Sequence, residues 1–530
     1  MLIDSKVRNL GIFKDVPGPR FAADASRLSQ RLWKTMPSPP DIDMPTERPA
    51  HSASHAHAFS DFHGRTVEGL TVSNRRGMLK AGFAGLAGLT LPGLLQARAT
   101  AAESGLSMAT GKSVILLWMA GGPSHIDMWD PKPGRPLENR GPFGVISTSL
   151  PGVQFCEHLP KQAVMMDKFT VIRSVDARNS NHEPNTVFQT ANLEAEPRTN
   201  PEADKYPAIA SIVAKMHGAN HPAMPPSVAF TKTRGHIAAG GYLGKRYDPF
   251  MGTQASRLPV YDLVGGDTGQ VSGADMFRLP AGLDQSRLYS RRSLMEDFDR
   301  LRSDLDQGGS MSALDGYRRQ AVEMVIGRKA QNAFDLSQES DATRARYGKH
   351  LWHQQALLAR RLVEAGVAFV TLDLSYHTAS GTWDTHGDNI PPYGGIEHGL
   401  KPLLPLFDHL ITTLVSDLDE RGLLDDVLVI AMGEFGRTPT MGTQGSTDGR
   451  NHWPVVMSMA LAGGGLRHGQ IIGSSEHDGG NIKERPVTPG DLAATIYRHM
   501  NVPLTTTYMD NRGRPRNIID SAGQPIAELF

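Results

Sequence analysis

Val427-Leu428-Val429-Ile430-Ala431-Met432-Gly433-Glu434-Phe435-Gly436-Arg437-Thr438-Pro439 is the stretch that decides the fold. Six apolar residues, bounded by Asp425-Asp426 and by glycine, are typical of a buried strand that ends in a tight loop. Open α/β sheets bind ligands beyond the carboxyl ends of their strands. The pattern therefore predicts a functional carboxylate, Glu434, at the edge of a sheet.

Three further loops carry aspartate or histidine next to glycine and near a strand-like run. They are Gly121-Gly122-Pro123-Ser124-His125-Ile126-Asp127, Trp383-Asp384-Thr385-His386-Gly387 and Gly449-Arg450-Asn451-His452-Trp453-Pro454. Glycine allows the backbone to approach a ligand closely and to adopt positive φ. Together with the loop at Glu434, these loops predict a metal site assembled across a sheet.

Composition narrows the classes of function. The chain has 530 residues, enough for one large α/β domain or two ordinary ones. Lys plus Arg and Asp plus Glu both number 55, so no overall field favours nucleic acid or an anionic membrane as a partner. The single cysteine, Cys156, excludes an internal disulfide and a cysteine-based metal cluster.

The first hundred residues differ from the rest of the chain. Residues 1–74 are rich in Pro, Ser and His and lack apolar periodicity, which predicts a disordered extension. Residues 75–101 join Arg75-Arg76 to a short Gly- and Ala-rich apolar run, and they resemble a twin-arginine export signal. The alternative is a buried or interfacial helix. The run is too short and too glycine-rich for a membrane span, so we expect no stable span after signal removal.

Strand-like and helix-like patterns alternate from about residue 110 to residue 515. This alternation predicts a doubly wound, mainly parallel sheet with helices on both faces. Residues 232–285 are rich in glycine and poor in periodic runs, which predicts a loop-rich insertion over one face. The predicted strands are 113–120, 169–175, 367–373, 427–432 and 455–462, and the clearest predicted helices are 159–167, 206–217, 349–365, 400–421 and 488–500.

Histidine nitrogen and carboxylate oxygen hold divalent zinc, calcium, magnesium or manganese, and a catalytic site leaves one position open. For a single aspartate in such a loop, the alternative is a helix cap or a hydrogen bond to its own backbone. Ser124, a nucleophile or a helix cap, and His182, a catalytic group or a surface histidine, stay open as well. Arg437 and Arg450 could each form bidentate hydrogen bonds with an anionic ester oxygen, or form salt bridges with the acidic loops. The predicted metal ligands are Asp127, Asp384, His386, Glu434 and His452, with Asp388 as a further candidate.

The four loop blocks resemble the signature blocks of the family known as domain of unknown function 1501. The resemblance covers about residues 110–515, and the family often carries a twin-arginine signal, as residues 75–101 do here. That family is placed in the alkaline phosphatase and sulfatase superfamily. The resemblance therefore implies an alkaline-phosphatase-like α/β fold with a metal cluster at the carboxyl edge of its sheet.

The same resemblance implies roles for individual residues. Asp127 matches the aspartate that ends the first strand, Asp384 and His386 match later ligands, and His452 matches a further histidine. Glu434-Phe435 stands where an Asp-His pair is usual. The nucleophile loop offers Ser180 and His182 and lacks the Cys-x-Pro-x-Arg motif, which disfavours a formylglycine-type sulfatase.

These residues predict an exported metal-dependent hydrolase of phosphate or sulfate esters, periplasmic or secreted through the twin-arginine machinery. Ser180 and His182 would serve the covalent step, and Arg437 would stabilise the growing charge. The substrate would be a small-molecule or saccharide ester. The alternatives are a non-catalytic metal- or ligand-binding protein of the cell envelope on the same fold, and a metal-independent scaffold.

Overall fold

The computed structural model describes residues 111–178, 180, 182, 186–196, 200–232, 234–273, 290, 324, 328–377, 381–387, 391–442, 445–519 and 523–530. The extension 1–74, the export-signal segment 75–101 and the candidate Asp388 therefore lie outside the described residues. Within these ranges, no helix combines the length and the apolar character that crossing a membrane requires.

The strands are numbered in chain order. They are β1 (Ser113–Trp118), β2 (Val145–Ser147), β3 (Gln154–Cys156), β4 (Phe169–Val175), β5 (Ser227–Phe230), β6 (Phe250–Met251), β7 (Leu258–Tyr261), β8 (Asp267–Ser272), β9 (Phe369–Asp373), β10 (Val427–Met432), β11 (Gly436–Arg437), β12 (His452–Trp453), β13 (Met457–Gly463), β14 (Gln470–Ile472), β15 (Ser474–Ser475), β16 (Ile482–Glu484), β17 (Thr507–Met509) and β18 (Pro515–Asn517).

Eight of these strands form the central sheet, in the order β14-β4-β13-β10-β1-β9-β5-β6. Strand β1 lies in the middle and pairs in parallel with β10 and with β9. Only β13, within the described sheet, runs antiparallel to its two neighbours, β10 and β4. The mainly parallel sheet is confirmed, and the opening stretch forms one of its central strands.

The α-helices cover both faces of this sheet. They are α1 (Leu137–Arg140), α2 (Pro160–Val164), α3 (Thr186–Thr190), α4 (Ile209–Met216), α5 (Gly252–Ala255), α6 (Arg328–Phe334), α7 (Asp341–Tyr347), α8 (Leu351–Ala365), α9 (Lys401–Glu420) and α10 (Pro489–His499).

Alternate residues of β1 enter two different hydrophobic cores. Ile115 and Leu117 pack in the core that contains the apolar faces of α8 and α9. Val114, Leu116 and Trp118 pack in the core that contains α4 and α10. Because side chains of a strand point alternately to the two faces, the sheet is buried on both sides. The doubly wound arrangement is therefore confirmed.

The segment 232–285 is described as far as residue 273. It contains short 3-10 turns, the helix α5, the hairpin β7–β8 and the strand β6, which pairs with β5 at one end of the central sheet. This segment thus adds a strand to the central sheet. It also carries His236 and a cavity wall, both of which bear on the site.

Candidate functional site

The predicted site loops meet at one edge of the central sheet. Glu434 follows the carboxyl end of β10, Asp384 and His386 lie in the segment after β9, and His182 lies in the loop after β4. Strand β13 runs in the opposite direction, so its beginning lies at the same edge and brings His452 there. Parallel strands and one antiparallel strand therefore contribute to a single site.

The carboxylate of Asp384 is the centre of this site. Asp384 is buried, and the Nε2 atoms of His182, His386 and His452 lie 3.4, 3.5 and 3.6 Å from its oxygens. The Nε2 atoms of His182 and His452 are 2.8 Å apart. His182, Asp384 and His452 each offer one donor atom, and these atoms lie within 4.8 Å of one another.

This spacing fits a shared cation. Zinc binds nitrogen and oxygen ligands at about 2.0–2.2 Å, so two ligands of one tetrahedral ion lie roughly 3.3 Å apart. The separations of 2.8, 3.4 and 3.6 Å among His182, Asp384 and His452 lie on either side of that value. Two imidazoles and one carboxylate also form a donor set that suits zinc.

The carboxylate of Glu434 contacts Nδ1 of His182, whereas Nε2 of that ring faces Asp384. The Nδ1 of His182 lies 2.7 Å from Oε1 of Glu434, which also accepts the backbone N–H of Gly121 at 2.8 Å. A carboxylate that accepts Nδ1–H leaves Nε2 with its lone pair exposed, which is the usual arrangement around a metal-binding histidine. The second oxygen, Oε2, is buried and has no hydrogen-bond partner among the described residues. One oxygen of Glu434 therefore contacts His182, and the other is buried without a hydrogen-bond partner among the described residues.

Arg437 holds Asp384 and is itself fully buried. Its Nη2 donates to Oδ1 of Asp384 at 2.7 Å and to the carbonyl oxygen of Gly121. Its Nε and Nη1 donate to the carbonyl oxygens of Gly122 and Arg450, at 2.8 and 3.2 Å. These bonds commit the guanidinium of Arg437 to protein acceptors, and the bond to Asp384 connects it to the site.

Asp127 lies outside the His182–Asp384–His452 group. Its carboxylate pairs with Arg450 at 2.6 Å and accepts the hydroxyl of Ser124. Arg450 also donates to the carbonyl oxygens of Thr438 and Pro439, at 3.0 and 2.9 Å. Asp127 and Arg450 thus form a buried ion pair that frames the loop after β10, and Ser124 supports that pair.

Ser180 is buried in the loop after β4, two residues before His182. Its backbone N–H donates to the carbonyl oxygen of Ala177 at 3.0 Å. No hydrogen bond joins its hydroxyl to the site in the part of the chain that the structure describes.

The pKa values of the central groups follow from burial and charge. Burial favours the neutral form of Asp384, but the charge of Arg437 and hydrogen bonds from His182 and His452 outweigh it and hold its pKa well below the usual range. Burial lowers the pKa of His182, but hydrogen bonds to Asp384 and Glu434 raise it more, so the net shift is upward. Burial, followed by the charges of Arg437 and His182, lowers the pKa of His452. Asp384 is therefore an ionised carboxylate that faces a neutral His452.

A second set of donors, which the sequence pattern did not reveal, lies next to this group. Asp373 ends β9, and its Oδ2 accepts from the hydroxyl of Thr231 at 2.7 Å and from Nδ1 of His236 at 2.9 Å. Its Oδ1 and both ring nitrogens of His377 are buried without a hydrogen-bond partner among the described residues. Such atoms cost free energy unless a ligand satisfies them. Asp373 ends an apolar run much as Glu434 follows one. The rule that singled out Glu434, a carboxylate at the end of a buried strand, would therefore also have singled out Asp373.

His377 connects the two sets electrostatically. Burial, followed by the charge of His236, lowers its pKa to about 4, while Asp384 and Asp373 oppose that shift. His377 is therefore neutral at physiological pH and lies within electrostatic reach of both carboxylates. A neutral imidazole with free nitrogens is the form that binds a cation.

Comparisons with known proteins give the family and distant likenesses. A family model described as Protein of unknown function (DUF1501) matches residues 111–530. No curated protein matches the chain. The crystal structure of Ps i-CgsB shares 10% identity over 74% of this chain and 72% of that one, with a TM-score of 0.35. The PsFucS1 sulfatase from Pseudoalteromonas sp. shares 11% over 82% and 73%, with a TM-score of 0.32. The phosphonate monoester hydrolase SpPMH from Silicibacter pomeroyi shares 11% over 78% and 74%, with a TM-score of 0.30.

Proposed function

This chain belongs to the DUF1501 family, and we propose that it is an exported metal-dependent hydrolase of phosphate or sulfate esters. One observation supports the proposal above all others: three histidine Nε2 atoms lie within 3.6 Å of the buried carboxylate of Asp384. A buried anion surrounded by imidazoles is a divalent-metal donor set.

His182, Asp384 and His452 would hold the metal, with His386 and Oε2 of Glu434 next to them. A divalent ion in this place supplies a Lewis acid that polarises an ester oxygen and lowers the pKa of a water molecule. Three of these five donors are imidazoles, which favours zinc over calcium, magnesium and manganese.

Other residues of the chain maintain this arrangement. Glu434 keeps the proton of His182 on Nδ1, and Arg437 keeps Asp384 ionised and anchored to the loop after β1. The side chain of His452 is 36% exposed, whereas those of Asp384 and Arg437 are 2% and 0% exposed. A substrate therefore approaches from the side of His452. The attacking group would be either the hydroxyl of Ser180 or a water molecule.

Export is proposed from the sequence pattern of residues 75–101, where Arg75-Arg76 precedes a short apolar run. Folded export through the twin-arginine machinery suits a protein that acquires its metal before it leaves the cell. The zero formal charge agrees with a small-molecule or saccharide ester as substrate and gives no support to nucleic acid.

A second candidate function also has support. The two arginines of the site loops, Arg437 and Arg450, are both buried and committed to protein acceptors. They leave the growing charge on a transferring group to be balanced by the metal and the histidines alone. This observation favours a metal- or ligand-binding protein of the cell envelope that performs no turnover.

An ester screen on the purified mature protein separates these functions. We expect hydrolysis of 4-nitrophenyl phosphate or 4-nitrophenyl sulfate with zinc, and a loss of at least 100-fold in kcat/KM in Asp384→Asn. The matched control is Asp419→Asn, which removes a carboxylate that is half exposed and paired with Lys168 on the surface, and it should retain full activity. Stoichiometric metal without turnover on any ester would select the binding protein.

A further inference from the structure

A cavity of about 220 Å³ lies next to the second donor set. Thr231, in its wall, donates to Asp373, and Ile237, also in its wall, directly follows His236. A third wall residue, Thr186, lies at the start of α3, four residues after His182. The cavity is therefore built from the same segments as the site, on the side of Asp373.

Hydrogen bonds fix the walls of this cavity before any ligand arrives. The side chain of Gln189 donates to the carbonyl oxygen of His236 at 2.6 Å and accepts from the backbone N–H of Ala238 at 2.7 Å. The N–H of Ala208 donates to the carbonyl oxygen of Ala239 at 2.9 Å. A preformed pocket costs a ligand little ordering entropy. These hydrogen bonds therefore hold the walls of the cavity in place.

The size of the cavity and its apolar surface define what it accepts. Ile237, Ala238, Ala239, Pro249 and Met251 contribute apolar surface. A dry apolar cavity of roughly 150 Å³ is large enough for benzene. A cavity of about 220 Å³ therefore accepts one six-membered ring with a small substituent.

The charged side chains in the cavity wall further restrict the ligands that the cavity accepts. The ionisable side chains that line it are Asp204, Asp248 and Tyr206, and no Lys, Arg or His is among the described residues that line it. Burial, followed by the hydrogen bond to Glu194, raises the pKa of Tyr206 to about 12, so its phenol stays neutral. Two aspartates disfavour a second anion and favour a neutral or cationic group.

We infer that this cavity binds the alcohol side of the ester: a single ring, mainly apolar, that is uncharged or carries an amine. The inference rests on the proposed ester hydrolysis for its role in turnover, and on the cavity alone for binding. It places the reacting ester oxygen towards Asp373 and Asp384 and the ring between Met251 and Ile237.

Direct binding tests the cavity without any turnover. Calorimetric titration of the metal-loaded protein with phenol, benzylamine and benzoate should show binding of the first two and at least tenfold weaker binding of benzoate. Met251→Trp fills the cavity and should weaken phenol and benzylamine at least tenfold. Val271→Trp, on the exposed strand β8, adds the same side chain elsewhere and should change nothing. Equal binding of benzoate, or full binding in Met251→Trp, would overturn the inference.

Asp204→Lys serves as a second variant in case Met251→Trp does not fold. Asp204 is an exposed residue of the cavity wall, so the change should leave the fold intact. We expect it to strengthen benzoate and weaken benzylamine, each by at least fivefold. An unchanged preference between these two compounds would contradict the inference.

Steady-state kinetics connects the cavity to turnover. Met251→Trp should raise KM at least tenfold for phenyl phosphate and leave methyl phosphate unaffected. Metal-dependent hydrolysis with the same KM in both proteins would overturn the cavity inference alone. Binding of phenol without hydrolysis of any ester would overturn the proposed function and retain the cavity as a ligand site.

Discussion

The carboxylate of Asp384 faces a guanidinium on one side and imidazoles on the other. Arg437 bonds Oδ1 at 2.7 Å, and the three histidines lie at 3.4 to 3.6 Å. A buried carboxylate without compensation would become neutral. Arg437 supplies that compensation within the protein, so Asp384 remains an anion beside the histidines.

The substitution Glu434→Gln tests whether Glu434 fixes the orientation of the His182 ring. Glutamine keeps the shape of the side chain but replaces the anionic acceptor of Nδ1–H with a neutral one. We expect zinc affinity to fall about 10- to 100-fold, the usual effect of removing such a supporting carboxylate. Competition with a fluorescent zinc chelator measures the change. Glu420→Gln, in a surface pair with Arg346, is the control, and an affinity within twofold of wild type in Glu434→Gln would contradict the role.

Individual residues show how far the sequence alone reaches. Glu434, Asp384 and His452 were predicted at one rim because each lies beside a strand-like run, and the structure brings them there. Asp127 follows the same local pattern, but it pairs with Arg450, which is 323 residues away in sequence. Local patterns do not record which distant partner a carboxylate finds. Asp373 was counted as the end of a strand, and its unpartnered oxygen becomes visible only in three dimensions.

The elements were predictable where an apolar run or a helix cap defines them. Helix α8 ends at Gly366, which has a φ of 114° and accommodates the left-handed conformation that ends the helix. Helix α10 begins at Thr488 with a capping box to Asp491. The direction of β13 was not predictable, because the mainly apolar run 455–462 reads the same for either direction. That direction is nevertheless what brings His452 to the site.

Helix α8 should make the stability of the domain depend on pH. His350 caps the helix through Nδ1, which accepts the N–H of Trp352 at 3.2 Å and has to be unprotonated to do so. Burial, followed by the charge of His353, lowers the pKa of His350 to about 3 from the ordinary value of 6.5. Between pH 3 and pH 6.5, His350 therefore binds a proton in the unfolded chain but not in the folded chain. The contribution is fully present above pH 6.5 and is lost as the pH falls from 6.5 towards 3, at up to about 1.4 kcal/mol per pH unit.

Urea unfolding at pH 7.5, 6.5 and 5.5 measures this dependence. His350→Asn keeps a side chain that caps helices well and removes the titrating group, so its free energy of unfolding should fall less steeply below pH 6.5. His477→Asn, at an exposed position, should retain the wild-type slope. A wild-type slope in His350→Asn would contradict the explanation.

The whole domain joins loops that are far apart in sequence. His182 and His452 are 270 residues apart, and Gly121 and Glu434 are 313 apart. The alternation of strands and helices predicted the layers, and the two cores on either side of β1 confirm them. The contacts between loops depend on how those layers pack. The side-chain contacts of the site at the edge of the sheet were therefore only partly predictable from the sequence. A shared cation would connect these loops at one point.

Removal of the metal should therefore lower the stability of the whole domain. A ligand at 100 times its Kd stabilises the folded state by about 2.7 kcal/mol. We expect EDTA to lower the Tm of the zinc-loaded protein by a few degrees and to leave Asp384→Asn unchanged. Differential scanning calorimetry measures both proteins. An equal decrease of Tm in the two proteins, or no decrease in the wild type, would mean that His182, Asp384 and His452 do not hold the ion.

The most direct measurement is the metal content of the purified mature chain after dialysis against zinc, with Asp384→Asn alongside it. The shared-cation arrangement predicts at least one zinc per wild-type chain and its loss from the variant, while both proteins keep the same far-ultraviolet circular dichroism. A wild-type chain without zinc, or a variant that retains all of it, would contradict the claim that His182, Asp384 and His452 bind one ion.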